Sequence, residues 1–211
     1  MENLNILENT KIPSGEYGTI RIFGATEFTG PIKANQIEVY SEAIFHGLVN
    51  VKKLIINGTA TFFGEILSLE ITVNGTANFN ADVKTNHLVI KNQVNARTVK
   101  VEAHKTIVEG MAHFHEFDGF ELTVNNLFNC DKLLRCNNIQ FTDHSRGALN
   151  EVMTAVSSFL PVSTLELFPL TIQSMLVYDV KLRQCQIGFL QTKKLDHDES
   201  SVIKQLEIIK K

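Results

Sequence analysis

The chain has 211 residues, 44% hydrophobic and 20% charged, enough apolar content for a sizeable core and too much for a disordered tail. A net charge of −3 lacks the basic excess of a nucleic-acid binder, and three cysteines (Cys130, Cys136, Cys185) are too few for a disulfide scaffold or a four-cysteine zinc site. Residues 1–12 lack the basic start and apolar run of a signal peptide, and no run of ~18 apolar residues occurs, so a cytoplasmic protein is expected.

Residues 1–19 read as an N-terminal segment and cap. From Ile20 the chain falls into seven gapless lines of 17 residues ending at Asn138. The third position of each line is Ile22, Val39, Ile56, Val73, Ile90, Ile107 and Val124. The ninth is Phe28, Phe45, Phe62 and Phe79, then Ala96, His113 and Cys130. Apolar residues sit at alternate positions in three short bursts, which is strand spacing, and β-branched residues dominate. Gly58, Gly64 and Gly75 fall between bursts, where corners are expected to need φ > 0.

The pattern predicts an all-β fold: a single-stranded parallel β-helix with one 17-residue coil per line over residues 20–141. At ~4.8 Å per coil, seven coils make a rod of roughly 34 Å. Stacked Ile/Val and Phe columns fill its interior. Phe62 is then a core residue, and Phe63 beside it points to solvent.

Residues 142–163 carry Leu149, Val152, Met153, Val156, Phe159 and Leu160 at helical spacing, with Pro161 closing the run. They predict an amphipathic helical insertion, its helix over 147–160. Residues 164–211 resume as shorter coils and a tail, with lines from Leu165, Val180 and Leu195 that are 15 residues apart.

The coils LIINGTATFFGEILSLE and ITVNGTANFNADVKTNH resemble those of bactofilins, the bacterial polymer-forming cytoskeletal proteins. The opening SGEYGTIRIFG and the closing VKLRQCQIGFLQTKKL are most similar to the bactofilin-like proteins of Gram-positive bacteria. The resemblance covers residues 14–141 well and 164–209 weakly. It implies a right-handed, triangular β-helix that polymerises end to end without nucleotide and scaffolds other proteins, often at the membrane.

Candidate chemistry is sparse. Asn57-Gly58-Thr59 and Asn74-Gly75-Thr76 match the glycosylation acceptor pattern, but they occupy one corner of adjacent coils and read as turn residues. His113 and His115 alternate, and His87 and His104 share the last column of successive lines. No carboxylate or cysteine recurs beside them to complete a metal site. His113 falls in the Phe column and reads as core. As a general base, His113 or His115 would suit a hexapeptide acyltransferase, whose coils repeat in sixes; 17 cannot be so divided. Cys130 and Cys136 fall in apolar columns. No phosphate loop of the GxxxxGK[ST] type is present.

These readings predict a non-enzymatic scaffold with no catalytic, cofactor or metal site. Its partner is itself, with other cytoskeletal or envelope-associated proteins as further expected partners. Neither nucleic acid nor nucleotide is expected, and membrane contact is at most peripheral, at the inner face. The expected self-association ends are Ile20, Ile22 and Phe28 on the first coil, and Phe189, Leu190 and Leu195 near the last. The alternative is a non-polymerising solenoid adaptor that binds a partner through its flank or helix 147–160.

Overall fold

The structure is a computed structural model that describes residues 1–142, 144–159, 170–182, 185–197, 199 and 201–209. It is all-β, a parallel solenoid of about 11 turns, with no helix among the described residues. In the regular coils each turn has three paired runs. Ile32–Ala34, Gln36–Val39 and Glu42–Phe45 stack in register on Val49–Val51, Lys53–Ile56 and Thr59–Phe62. Alternation within each run turns Ile32, Ala34, Ile37, Val39, Ala43 and Phe45 inward, where all are buried.

The inward columns are continuous. Ile22, Val39, Ile56, Val73 and Ile90 form one, every member fully buried. Phe28, Phe45 and Phe62 form another, with ring centroids 4.7 Å apart at each step and planes within 3° of parallel. Phe79 follows at 5.6 Å and tilts by 50°. The next residue in that column is Ala96, which leaves the ring room to turn; Phe114 and Phe117 then stack on each other in the interior, and Phe128 meets both edge-on.

The uniform repeat breaks at the fifth line. Val83 pairs with Val101, one residue more than the 17-residue repeat, because the corner after Ala96 holds an extra residue. The next coil gives it back: Val108 pairs with Val124, one fewer. Three column assignments shift as a result. Val108, not Ile107, continues the Ile/Val column, and Ile107 faces outward. Phe114 takes the place expected for His113, and buried Thr106, 18 residues on from Leu88, stands above it in place of Lys105, the residue 17 on.

One correction concerns the N-terminal end of the array. Leu4–Ile6 pairs with Gly15–Ile22 and Thr10–Ile12 with Thr26–Phe28, setting Ile6 on Ile22 and Ile12 on Phe28. A further coil therefore lies below the expected first one. It is one residue shorter than the repeat, which hides it from a 17-residue alignment.

The predicted helix over 147–160 is also not found: Ala148–Phe159 is a strand, paired in parallel with Leu127–Phe141 and Leu170–Leu182. Leu149 continues the Phe column above Cys130, and Val152 sits above Leu134. A coil corner separates the two, so inward residues on adjacent faces fall three apart and imitate helical spacing. Residues 160–163, the rest of that expected helix and insertion, lie outside the described residues, as do 165–169 of the first shorter line. The 15-residue spacing is seen where Leu170 pairs with Cys185 and Val180 with Leu195.

Candidate functional surfaces

The Gly corners are built by close approach, not by φ > 0. Among the described glycines only Gly147 has positive φ. A Cβ on Gly75 would lie 2.0 Å from the Gly58 carbonyl oxygen, and one on Gly64 would lie 2.1 Å from that of Gly47. Glycine lets one corner sit directly on the next. The Asn-Gly-Thr tripeptides serve the same stacking: Asn74 donates its side-chain amide to the Asn57 side-chain oxygen at 2.8 Å. In a neighbouring column Asn95 donates to Asn78 at 3.0 Å.

The histidines do not converge. His87 pairs with Lys105, and His104 instead stacks on exposed Phe120 at 5.0 Å. His113 is half-buried on the outer surface, its Nε2 2.7 Å from Asp131 Oδ1. Among the described residues no three His, Cys, Asp or Glu side chains are grouped as metal ligands would be. Cys130, Cys136 and Cys185 are buried and are not joined in disulfides; burial pushes the thiols of Cys130 and Cys136 up to about 12, so neither is a thiolate at neutral pH.

A shallow groove of about 560 Å³ runs along one flank beside Ser68, Thr85, Ala103 and Gly119, where small residues leave a hollow. The acidic groups of its wall are already paired: Lys100 bonds Glu102 at 2.7 Å, and Arg135 bonds Asp118 at 3.0 Å. Nearer the first coils, Glu38 accepts hydrogen bonds from Tyr40 and Gln36 and faces Arg21. Burial pushes the Glu38 carboxyl up, but those partners outweigh it and hold it below the usual carboxylate range.

The ends differ from expectation and from each other. Ile20, Ile22 and Phe28 are fully buried, one coil inward. The N-terminal rung belongs instead to Leu4, Ile6 and Ile12, and Ile6 and Ile12 are 5% and 9% exposed. At the other end Val202–Ile208 covers the expected residues: Phe189 pairs with Gln205 and Leu190 with Leu206, and Leu190 is fully buried. Leu195 packs partly buried against the core. In the terminal strand Leu206 and Ile208 continue inward columns above Leu190 and Thr192, yet they are 44% and 52% exposed. The line from Leu195 contains this rung, but its offset from the strand below is one residue longer than the 15-residue spacing, so Leu206 and Ile208 are not among the expected end residues.

No helix among the described residues is long and apolar enough to cross a membrane. No curated protein and no solved structure matches the chain. Residues 6–102 match the model of the bactofilin family, described as polymer-forming cytoskeletal. The matched residues lie in the stacked coils of the N-terminal half, and over that span the chain is similar to the bactofilin family.

Proposed function

We propose that the protein is a non-enzymatic cytoskeletal scaffold that self-associates end to end through its coils. The observation that carries this reading is the open C-terminal rung. Among the described residues nothing covers Leu206 and Ile208, which are 44% and 52% exposed at the ends of core columns, and the strand Val202–Ile208 pairs on one side alone. A further coil laid on that edge would continue the hydrogen-bond ladder and bury both side chains. The family match over residues 6–102 gives independent support, since members form polymers.

The finer features of the reading follow the resemblance: a right-handed winding, a triangular section supported by the three runs per coil, and the Gram-positive type. Cytoplasmic residence, peripheral membrane contact, and cytoskeletal or envelope-associated partners belong to the same proposal. The adaptor alternative loses its helix over 148–159, where the chain is strand.

Leu206→Arg tests the reading, because an arginine on the end rung would have to be buried unpaired in the joint. Negative-stain imaging and sedimentation should show filaments for the unmodified chain and short species or monomers for the variant. A chain that stays monomeric across salt and concentration, or a variant that polymerises as well as its parent, overturns it.

A further inference from the structure

One face of the solenoid turns two columns outward over the same rungs. The first is Lys53, Glu70, His87, Lys105 and Glu121, paired in that order from coil to coil. The second, two residues along each strand, is Ile55, Thr72, Val89, Ile107 and Thr123, all half-buried. A β-branched stripe on a regular outer face, bordered by charges of alternating sign, is the makeup of a contact surface.

We propose that this face docks laterally on a second copy of the same chain, antiparallel, about a two-fold axis along the strand direction through His87 and Val89. Such an axis sets each column against itself with the order of rungs reversed. Lys53 then meets Glu121 of the second copy, and Glu70 meets its Lys105. Ile55 meets Thr123, Thr72 meets Ile107, and Val89 meets Val89, so large side chains face small ones. Gln36 and Asn138, which extend the charged column at either end, meet amide to amide. The charge pattern is self-complementary in this register.

The other simple arrangements fail. Moving the axis half a rung, between Glu70 and His87, sets Lys53 against Lys105. A parallel pair, with the axis along the solenoid, lays each charged column on the other copy's apolar stripe and strips the charges of water. Within one chain Lys53 and Glu70 already lie 3.6 Å apart, and Lys105 and Glu121 3.4 Å apart, so pairing would join them into four-charge networks.

The five rungs span roughly 24 Å by ~13 Å, or about 300 Å² a side, from the ordinary strand dimensions. That is well below the ~800 Å² per partner of a stable interface, so one contact is weak and gains strength only when repeated along an array. The surface is separate from the end rungs and does not depend on the end-to-end reading.

A disulfide trap in the full chain captures a weak contact. Val89→Cys places a thiol on the two-fold axis; Thr61→Cys, also half-buried on an outer face, is the control, and the chain's own cysteines are buried. Under mild oxidation, Val89→Cys should form crosslinked dimers about tenfold faster than Thr61→Cys, which corresponds to ~1.4 kcal/mol of preference. Adding Lys105→Glu with Glu121→Lys keeps the internal ion pair but sets lysine against Lys53, and the rate should fall to that of the control. Adding Lys53→Glu with Glu70→Lys as well should restore it. Equal rates at positions 89 and 61, indifference to the first swap, or no recovery after the second overturns the proposal.

Discussion

Phe45 lies flat on Phe62, ring centroids 4.7 Å apart and planes 3° from parallel. The separation equals the spacing of adjacent strands, so the rings stack because the backbone stacks. Each ring sits one repeat above the last at the same inward position, with Phe28 below continuing the pile. Small changes in this column therefore act on the interior of several coils.

Phe62→Ala should cost ~3–5 kcal/mol of unfolding free energy, because rings on both sides are held by their own coils and cannot close the cavity. Phe63, one residue later, is 52% exposed and stacks on His46 on the outside of the solenoid. Phe63→Ala should cost well under ~1 kcal/mol. Chemical denaturation of both variants checks the contrast; similar losses would contradict the inward and outward assignment.

Gly75→Ala should destabilise by about 1–3 kcal/mol, since its Cβ would lie 2.0 Å from the Gly58 carbonyl oxygen and the stacked corner must shift. Gly15 offers the comparison: the nearest atom to a Cβ there is the Tyr17 hydroxyl oxygen, at the end of a movable side chain. Gly15→Ala should be close to neutral. Thermal melts that rank the two the other way would sink the close-approach account.

Thr106 is fully buried between Leu88 and Leu122, and its hydroxyl has no hydrogen-bond partner. Thr106→Val keeps the shape and removes the unsatisfied group, so it should stabilise by ~1 kcal/mol or more. A lower denaturation midpoint for the valine variant would show that the hydroxyl is satisfied in solution.

Glu38 has a folded pKa held below its ordinary value of 4.5, so it binds protons less readily folded than unfolded. Its contribution to stability is therefore present above the unfolded pKa and lost as pH falls through the folded one. Glu38→Gln should cost up to about 1 kcal/mol at neutral pH, as Arg21 is partly exposed. The gap between variant and parent should close on acidification. Denaturation midpoints measured from neutral pH down to pH ~3 follow it, and a gap that widens would reverse the sign.

The repeat, the parallel solenoid and the Phe and Ile/Val columns through Phe79 and Ile90 were legible in the sequence because each coil repeats one in-out pattern at fixed length. Local alternation and periodicity suffice where no residue is added or lost. The surfaces were less legible. Lys53 and Glu70 are one repeat apart, so their spacing places them in one column with His87, but only the paired strands add Lys105 and Glu121 to it.

What the 17-residue repeat could not reveal is where the register slips. The extra residue after Ala96 is cancelled one coil later, so the alignment closes again at Val124 and conceals that Ile107 and His113 have turned outward. A one-residue slip reverses which side chains face the core, and only hydrogen-bond pairing between coils records it. The same holds for Leu149 and Val152, whose spacing across a corner reads as a helix in one dimension and as strand once Cys130 and Leu134 lie beneath them. Sequence determined the unit and its inward face; tertiary pairing decided the register, the strand at 148–159 and which rungs form the ends. The cause is that burial depends on the neighbouring coil, which the local sequence does not contain.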